Sequence, residues 1–243
     1  MNSARIAELL KPYLAPAPYP CHSDRSRSES DGGVEEPAVL SPTQLQHIST
    51  YIDILLRWNA RINLTAVRDP EQIVTRHFGE SLFAASHLFP RPSASSAPSA
   101  VKDFDVADLG SGAGFPGIPI KLWAPAISLT LIESNQKKAT FLREIARALT
   151  LTDINIQTAR AESLTNMSYD VVTLRAVERF DSILPVADSL VRPGGRLALL
   201  IGSAQEGQAL AALPDLSWSA PEPIPNSKSR VLLVGRSGDE PSQ

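Results

Sequence analysis

Apolar and polar positions along this chain change period at a few sharp points, and those points divide it. Ile6, Leu9 and Leu10 give residues 1 to 14 the stripe of a short amphipathic helix. Residues 15 to 37 run through Pro, Ser, Asp, Glu and Gly with almost no large apolar side chain, which predicts a disordered linker. Residues 1–37 therefore read as a disordered N-terminal extension. Helical spacing returns at Ser41-Pro42, an N-cap followed by proline at the first helical position, with Leu45, Ile48, Ile52, Leu55 and Leu56 behind it. That helix is expected to run to about Ala60. A second starts at Asp69-Pro70-Glu71 and buries Ile73, Val74, Phe78, Leu82 and Ala85, so residues 38–90 form a helical hairpin.

Small polar residues make 91–100 a linker, and the period then alternates through residues 101–236. Strands are predicted at 104–109, 128–132, 154–158, 169–174 and 196–201, with helices after Pro116 and at 135–149, 181–191 and 205–213. Strands separated by helices imply a parallel sheet covered on both faces. The run Val231-Leu232-Leu233-Val234 adds a last strand before the tail 237–243. A terminal strand returning antiparallel is a pattern of S-adenosylmethionine (SAM)-dependent methyltransferases rather than of nicotinamide dehydrogenases. The predicted fold is α/β, a Rossmann-like class I methyltransferase sheet with an N-terminal helical extension.

Composition narrows the classes further. At 243 residues the chain supports one large domain or a medium domain with an appendage. Its net charge of −3 is not that of a basic nucleic-acid-binding domain, so local clusters matter more than the sum. Arg57, Arg61, Arg68 and Arg76 form one cluster, and Lys137, Lys138, Arg143 and Arg147 another; most such clusters are solvated helix faces. The single cysteine, Cys21, excludes an internal disulfide framework and a multi-cysteine metal site. No apolar run approaches the roughly 18 residues of a membrane span, and no secretory leader follows Met1, so a cytoplasmic location is expected.

Candidate chemistry gathers at strand ends. Asp108 closes the first strand and Gly110, Gly112 and Gly114 follow it, letting the backbone turn sharply and approach a bound cofactor. Gly112 to Gly117 also fits G-x-G-x-x-G, so the glycines alone leave a nicotinamide cofactor and SAM both open. Glu133 ends the second strand about 20 residues on, where an acid can accept from ribose hydroxyls. Ala161-Glu162 follows the third strand, positioned to border an adenine ring. Arg175 follows the fourth, where it can meet a cofactor carboxylate, the substrate or a neighbouring acid. No metal site is expected. None of His22, His47, His77 and His87 lies in the 101–236 unit, which leaves a nicotinamide oxidoreductase without a hydride-transfer residue.

The segments Arg57-Trp58-Asn59-Ala60-Arg61-Ile62-Asn63-Leu64-Thr65-Ala66-Val67-Arg68-Asp69-Pro70, Arg76-His77 and Asp108 through Pro119 closely resemble the RsmG (GidB) family, over about residues 40 to 235. Members are bacterial methyltransferases acting on guanine N7 in 16S ribosomal RNA. The resemblance implies SAM contacts at Gly110, Phe115, Ala161, Glu162 and Arg175, and the 16S RNA or the small ribosomal subunit as partner of a monomeric chain. One departure stands out: Leu200-Ile201-Gly202 replaces the lysine that many members carry before that glycine.

What the sequence lacks agrees with N7 as the acceptor. Pyrimidine C5 methylation needs an attacking cysteine, and Cys21 sits in the predicted linker. Adenine amine methylation typically uses Asn/Asp-Pro-Pro-Tyr after the fourth strand, where this chain has Thr173-Leu174-Arg175-Ala176. Guanine N7 already has a lone pair and demands no general base. The hairpin arginines Arg61, Arg68 and Arg76 then acquire a task in holding RNA phosphates, with His77 either reaching substrate or packed in the core. A non-catalytic RNA-binding assembly factor is the remaining rival.

Overall fold

The computed structural model describes residues 1–14, 39–90, 104–164, 166–175 and 180–239. The expected connectors at 15–37 and 91–100 lie outside the described residues. Residues 1–14 correct the expectation of a wholly disordered extension. Helix α1 (Ser3–Leu10), capped by Asn2, runs into a 3-10 turn at Lys11–Tyr13, and Ile6, Leu10, Tyr13 and Leu14 are buried. Its apolar stripe has a partner to cover, which the polar composition of the following stretch obscured.

Local signals set the next helices. Ser41 accepts from Gln44 N at the start of α2 (Pro42–Asn59), while the Gln44 side chain accepts from Ser41 N, so two end donors are satisfied reciprocally. Ile48, Tyr51, Ile52 and Leu55 then fall on one buried face. Asp69 caps α3 (Pro70–Gln72), but the helix widens into a π-helix over Ile73–Gly79 before α4 (Glu80–Leu88). The predicted single helix is thus interrupted where Arg76 and His77 sit, and π turns are rare and concentrate at functional sites.

Five parallel strands follow: β1 (Asp105–Leu109), β2 (Ser128–Ile132), β3 (Ile154–Gln157), β4 (Tyr169–Arg175) and β5 (Val191–Gly202). They alternate with α5 (Gly117–Trp123), α6 (Gln136–Ala148) and α7 (Phe180–Ser189), and α8 (Glu206–Ala212) comes after β5. The two-residue strands β6 (Ser217–Trp218) and β7 (Glu222–Pro223), too short to leave a periodic signal, pair with β8 (Arg230–Arg236). Strand β8 returns antiparallel against β5, and the sheet order is β3-β2-β1-β4-β5-β8-β6.

Alternation along the strands feeds two cores, one per face. Val106, Leu129, Leu131, Val171, Ala198 and Leu200 join the buried faces of α1, α2, α4, α5 and α6. Ala107, Leu109, Ile132, Val172, Leu199 and Ile201 join α7 and α8. The N-terminal helices therefore share a core with one face of the sheet. That packing carries their side chains to the carboxyl ends of β1 and β4, between which the strand order reverses.

Candidate cofactor and substrate site

Open parallel sheets bind ligands outside their carboxyl ends at such a reversal, and here the glycine turn occupies it. Gly112 and Gly114 have φ of 56° and 83°, a region that side chains resist. Their surroundings differ. A Cβ on Gly114 would meet the Tyr51 hydroxyl at 2.5 Å and Ile118 at 2.7 Å, so packing from α2 also demands glycine there. A Cβ on Gly112 would meet only the Gly110 carbonyl oxygen, at 3.7 Å, so this side of the turn is open to an approaching ligand.

Two acids brace the turn from opposite sides. The buried Glu133 accepts from Gly112 N at 2.9 Å and from Asn135 N at 2.7 Å. Asn135 rather than Glu133 caps α6, accepting from Lys137 N and Lys138 N. Each Glu133 oxygen keeps capacity for a further donor. Asp108 is fully buried beneath the turn, accepting from Gly117 N at 3.1 Å and from the Thr173 hydroxyl at 2.9 Å. Burial pushes its carboxyl up to about 7. The expectation of Asp108 as a cofactor contact is corrected: sealed inside, it ties the turn to β4.

Helical side chains close the other flank. The Phe115 ring stacks on Tyr51 at 5.3 Å and on His77 at 4.9 Å, with Phe78 edge-on at 5.1 Å, while the Tyr51 hydroxyl donates to the Ala113 carbonyl. Arg175, for which a cofactor carboxylate, the substrate and a neighbouring acid were all open, meets a neighbouring acid on the helices. Its Nη2 donates to Glu80 at 3.0 Å and to the Arg76 carbonyl at 2.6 Å, and lies 3.2 Å from His77 Nδ1. Arg230 Nε lies 2.9 Å from the same Glu80 oxygen, as an ion pair without hydrogen-bond alignment. Two guanidiniums thus share one buried carboxylate, and burial brings Arg175 down to about 10, still cationic at neutral pH. Arg175 Nε is buried with no hydrogen-bond partner.

Burial, reinforced by Arg175 and Arg76, lowers His77 to about 3, so the ring is neutral. Its Nε2 lies 2.8 Å from the Thr65 hydroxyl. Of the remaining expected residues, Ala161 is buried in a 3-10 turn after β3, and the adjacent Glu162 is exposed. Arg61, Arg68 and Arg76 are exposed around this flank; Arg68 makes a long 3.5 Å contact to the Asn59 carbonyl. Ile201 is buried in the second core. The sequence reading missed Tyr51, Thr65, Glu80, Thr173 and Arg230. Glu80 left a signal as a charge inside the apolar run Phe78-Gly79-Glu80-Ser81-Leu82, and Thr65 lies within the segment that carries the family resemblance.

The sheet order, the antiparallel β8 and the glycine turn at the reversal define a class I SAM-dependent methyltransferase fold. Solved structures share it: a ribosomal protein L11 methylase from Lactobacillus delbrueckii subsp. bulgaricus superposes with a TM-score of 0.54 at 16% identity, covering 67% of this chain and 79% of that one. An O-methyltransferase family protein from Burkholderia thailandensis gives 0.53 at 14% identity, covering 82% and 72%. Residues 44–222 match the GidB family, described as rRNA small subunit methyltransferase G, and the chain belongs to that family. Relatives include the ribosomal RNA small subunit methyltransferases G of Xanthomonas axonopodis pv. citri (strain 306), 41% identical over 194 residues (77% of this chain, 84% of the relative), and of Stenotrophomonas maltophilia (strain K279a), 40% identical over 191 (78% and 81%). The chain is a methyltransferase, and the nicotinamide reading falls.

Proposed function

We propose that this chain binds SAM at the carboxyl ends of β1, β2 and β4 and directs its methyl group to N7 of a guanosine in 16S ribosomal RNA. The observation that carries this reading is the open Gly112 side of a turn braced by Glu133, with a neutral histidine of the helical flank stacked on Phe115 of the same turn. The names of the relatives support small-subunit ribosomal RNA as the substrate.

Bound SAM supplies an electrophilic methyl group on a sulfonium. Around it, the backbone of Gly110, Gly112 and Gly114 allows close approach, and the free lone pairs of Glu133 accept from ribose hydroxyls. Ala161 and Glu162 border the adenine, and Phe115 closes the pocket with its aromatic stack. Arg175 offers its unpartnered Nε to a carboxylate. The work of the chain is positioning and exclusion of water, since N7 has no proton to lose. His77 and Asp108 fit this economy: the first has both ring nitrogens engaged, and the second is sealed from any substrate.

The helical segment 38–90 serves as the RNA-docking element of the 101–236 catalytic unit. Exposed Arg61, Arg68 and Arg76 hold phosphates while the target base is splayed toward the methyl group, with His77 orienting its neighbours. No helix among the described residues is long and apolar enough to cross a membrane. The names of the relatives support a cytoplasmic enzyme, which is read here as a monomer. Tritium transfer from labelled SAM to small subunits lacking the modification tests this reading, followed by mapping of the labelled base. Label in guanosine at N7 is expected. No transfer by folded protein overturns the proposal, and label at another base or atom overturns its guanine-N7 assignment.

A further inference from the structure

Gly79 ends the π-helix with φ of −57°, a conformation any residue adopts, so its backbone does not call for glycine. A neighbour does. A Cβ there would meet three ring carbons of Tyr13 at 2.7–2.8 Å, so this buried ring lies on the glycine where a side chain would stand. Tyr13 belongs to the N-terminal segment, which is fastened along its length. The Ser49 hydroxyl donates to the Met1 carbonyl at 2.8 Å, and Arg5 donates to both oxygens of Glu71, at 2.7 and 2.9 Å. Beyond its ring, the Tyr13 hydroxyl is hydrogen-bonded to the side chain of Asn226, in the loop that leads into β8 and Arg230.

Both contacts bear on the Glu80 cluster. In an α-helix the Glu80 N–H would close on the Arg76 carbonyl, four residues back; here it is donated to His77, and the Arg76 carbonyl accepts from Arg175 Nη2 at 2.6 Å. The π turn thus gives Arg175 one acceptor and sets Glu80 beside it as a second, at 3.0 Å. Such a turn carries one residue more than an α-helical turn, and reverting would swing one end of the helix against the other by about 100°. Tyr13 opposes that rotation through Gly79 and, through Asn226, steadies the strand that brings Arg230 to the same carboxylate.

We propose that Tyr13 is a positioning residue for the cofactor: seated on Gly79, it locks the π turn in the register that aims the unpartnered Nε of Arg175 at the cofactor carboxylate, with residues 1–14 as the strap that carries it. This rests on the reading above, in which that carboxylate meets Arg175, and adds the group that sets the aim. Tyr13 acts through Arg175 and does not itself meet the cofactor.

The test compares, by calorimetric titration of the full chain, the affinities for SAM and for decarboxylated SAM, which keeps the sulfonium, ribose and adenine and lacks the carboxylate. Wild type is expected to favour SAM about tenfold or more, the worth of a charge-assisted hydrogen bond. Tyr13→Ala should lose most of that preference while binding decarboxylated SAM as wild type does, and Tyr13→Phe, which keeps the ring on Gly79, should retain it. A Tyr13→Ala chain that keeps the preference overturns the assignment. So does one that loses affinity for both compounds alike, the mark of general loosening. Should Tyr13→Ala not fold, Gly79→Ala displaces the ring from the opposite side without emptying the core, and is read the same way. A wild type that binds the two compounds equally overturns instead the reading of Arg175, and this assignment with it.

Discussion

The two flanks of the site are built by different rules. On the sheet flank, the turn is fixed by partners close in sequence or on the next strand: Ser111 to Asp108, Gly117 to Asp108, Gly112 to Glu133. On the helical flank, the ties join distant segments: Tyr51 to Ala113, Arg175 to Glu80, Arg230 to Glu80. The first flank relies on backbone conformation and backbone donors; the second relies on buried charge and aromatic packing. A defect on the sheet flank should therefore be local and steric, whereas a defect on the helical flank should expose an uncompensated charge.

The largest effect is expected on the helical flank. Glu80→Ala leaves Arg175 and Arg230, with side chains only 9% and 25% exposed, facing each other without the carboxylate they share. Removing one partner of such a buried cluster costs about 3–5 kcal/mol of stability, measurable by urea unfolding. Glu80→Gln, which keeps shape and an acceptor, should cost less; an Ala variant as stable as wild type would mean the arginines swing out to water. The sheet flank is probed by a pair. Gly114→Ala combines a forbidden φ with overpacking against Tyr51 and should cost about 3 kcal/mol. Gly112→Ala meets open space and should cost only the conformational share, about 1–2 kcal/mol. Equal costs would show that Tyr51 retreats freely.

The same division explains what could be read in advance. Parallel topology, the turn and the strand ends were legible because each backbone demand imposes a residue type: glycine at positive φ, apolar runs in doubly covered strands, Ser41-Pro42 and Asp69-Pro70 at helix starts. Helix α1 was half-legible, its stripe visible but its docking partner not. Pairings on the helical flank were illegible. With 26 acids in the chain, nothing local marks Glu80 as the partner of Arg175, and Asp108 looked like a ligand contact because sequence does not show which side of a turn faces inward. The π-helix is illegible for a related reason: residues that form it also suit an α-helix, and tertiary packing decides.

Buried titrating groups on the two flanks give opposite pH dependences. Asp108 titrates at about 7 when folded against 3.8 otherwise, so its contribution is fully present below pH 4 and is lost as pH rises toward 7. His77 titrates at about 3 against 6.5, so its contribution is fully present above pH 6.5 and is lost as pH falls toward 3. Between pH 4 and 6.5 the two slopes oppose, each at most about 1.4 kcal/mol per pH unit. Asp108→Asn removes one of them. Relative to wild type, the variant's unfolding free energy should improve steadily from pH 4 to 7 and then level off. A difference independent of pH would place the Asp108 titration outside this range.

The smallest effect on stability is expected where the helical flank meets water. Arg68 and Arg76 are exposed, and neither side chain braces the turn or the Glu80 cluster. Replacing both with alanine should change stability by less than about 0.5 kcal/mol and leave SAM affinity intact, because the sheet flank is untouched. Binding to the RNA substrate should nonetheless weaken, and the slope of log affinity against log salt should flatten by about 2, one unit for each phosphate no longer neutralised. Salt dependence is the informative readout, since a misfolded flank would lower affinity without that signature. A double variant with wild-type slope would move the docking surface to the other basic cluster, exposed Lys137, Arg143 and Arg147 on α6, and would make the helical flank a wall of the pocket rather than a hand on the RNA.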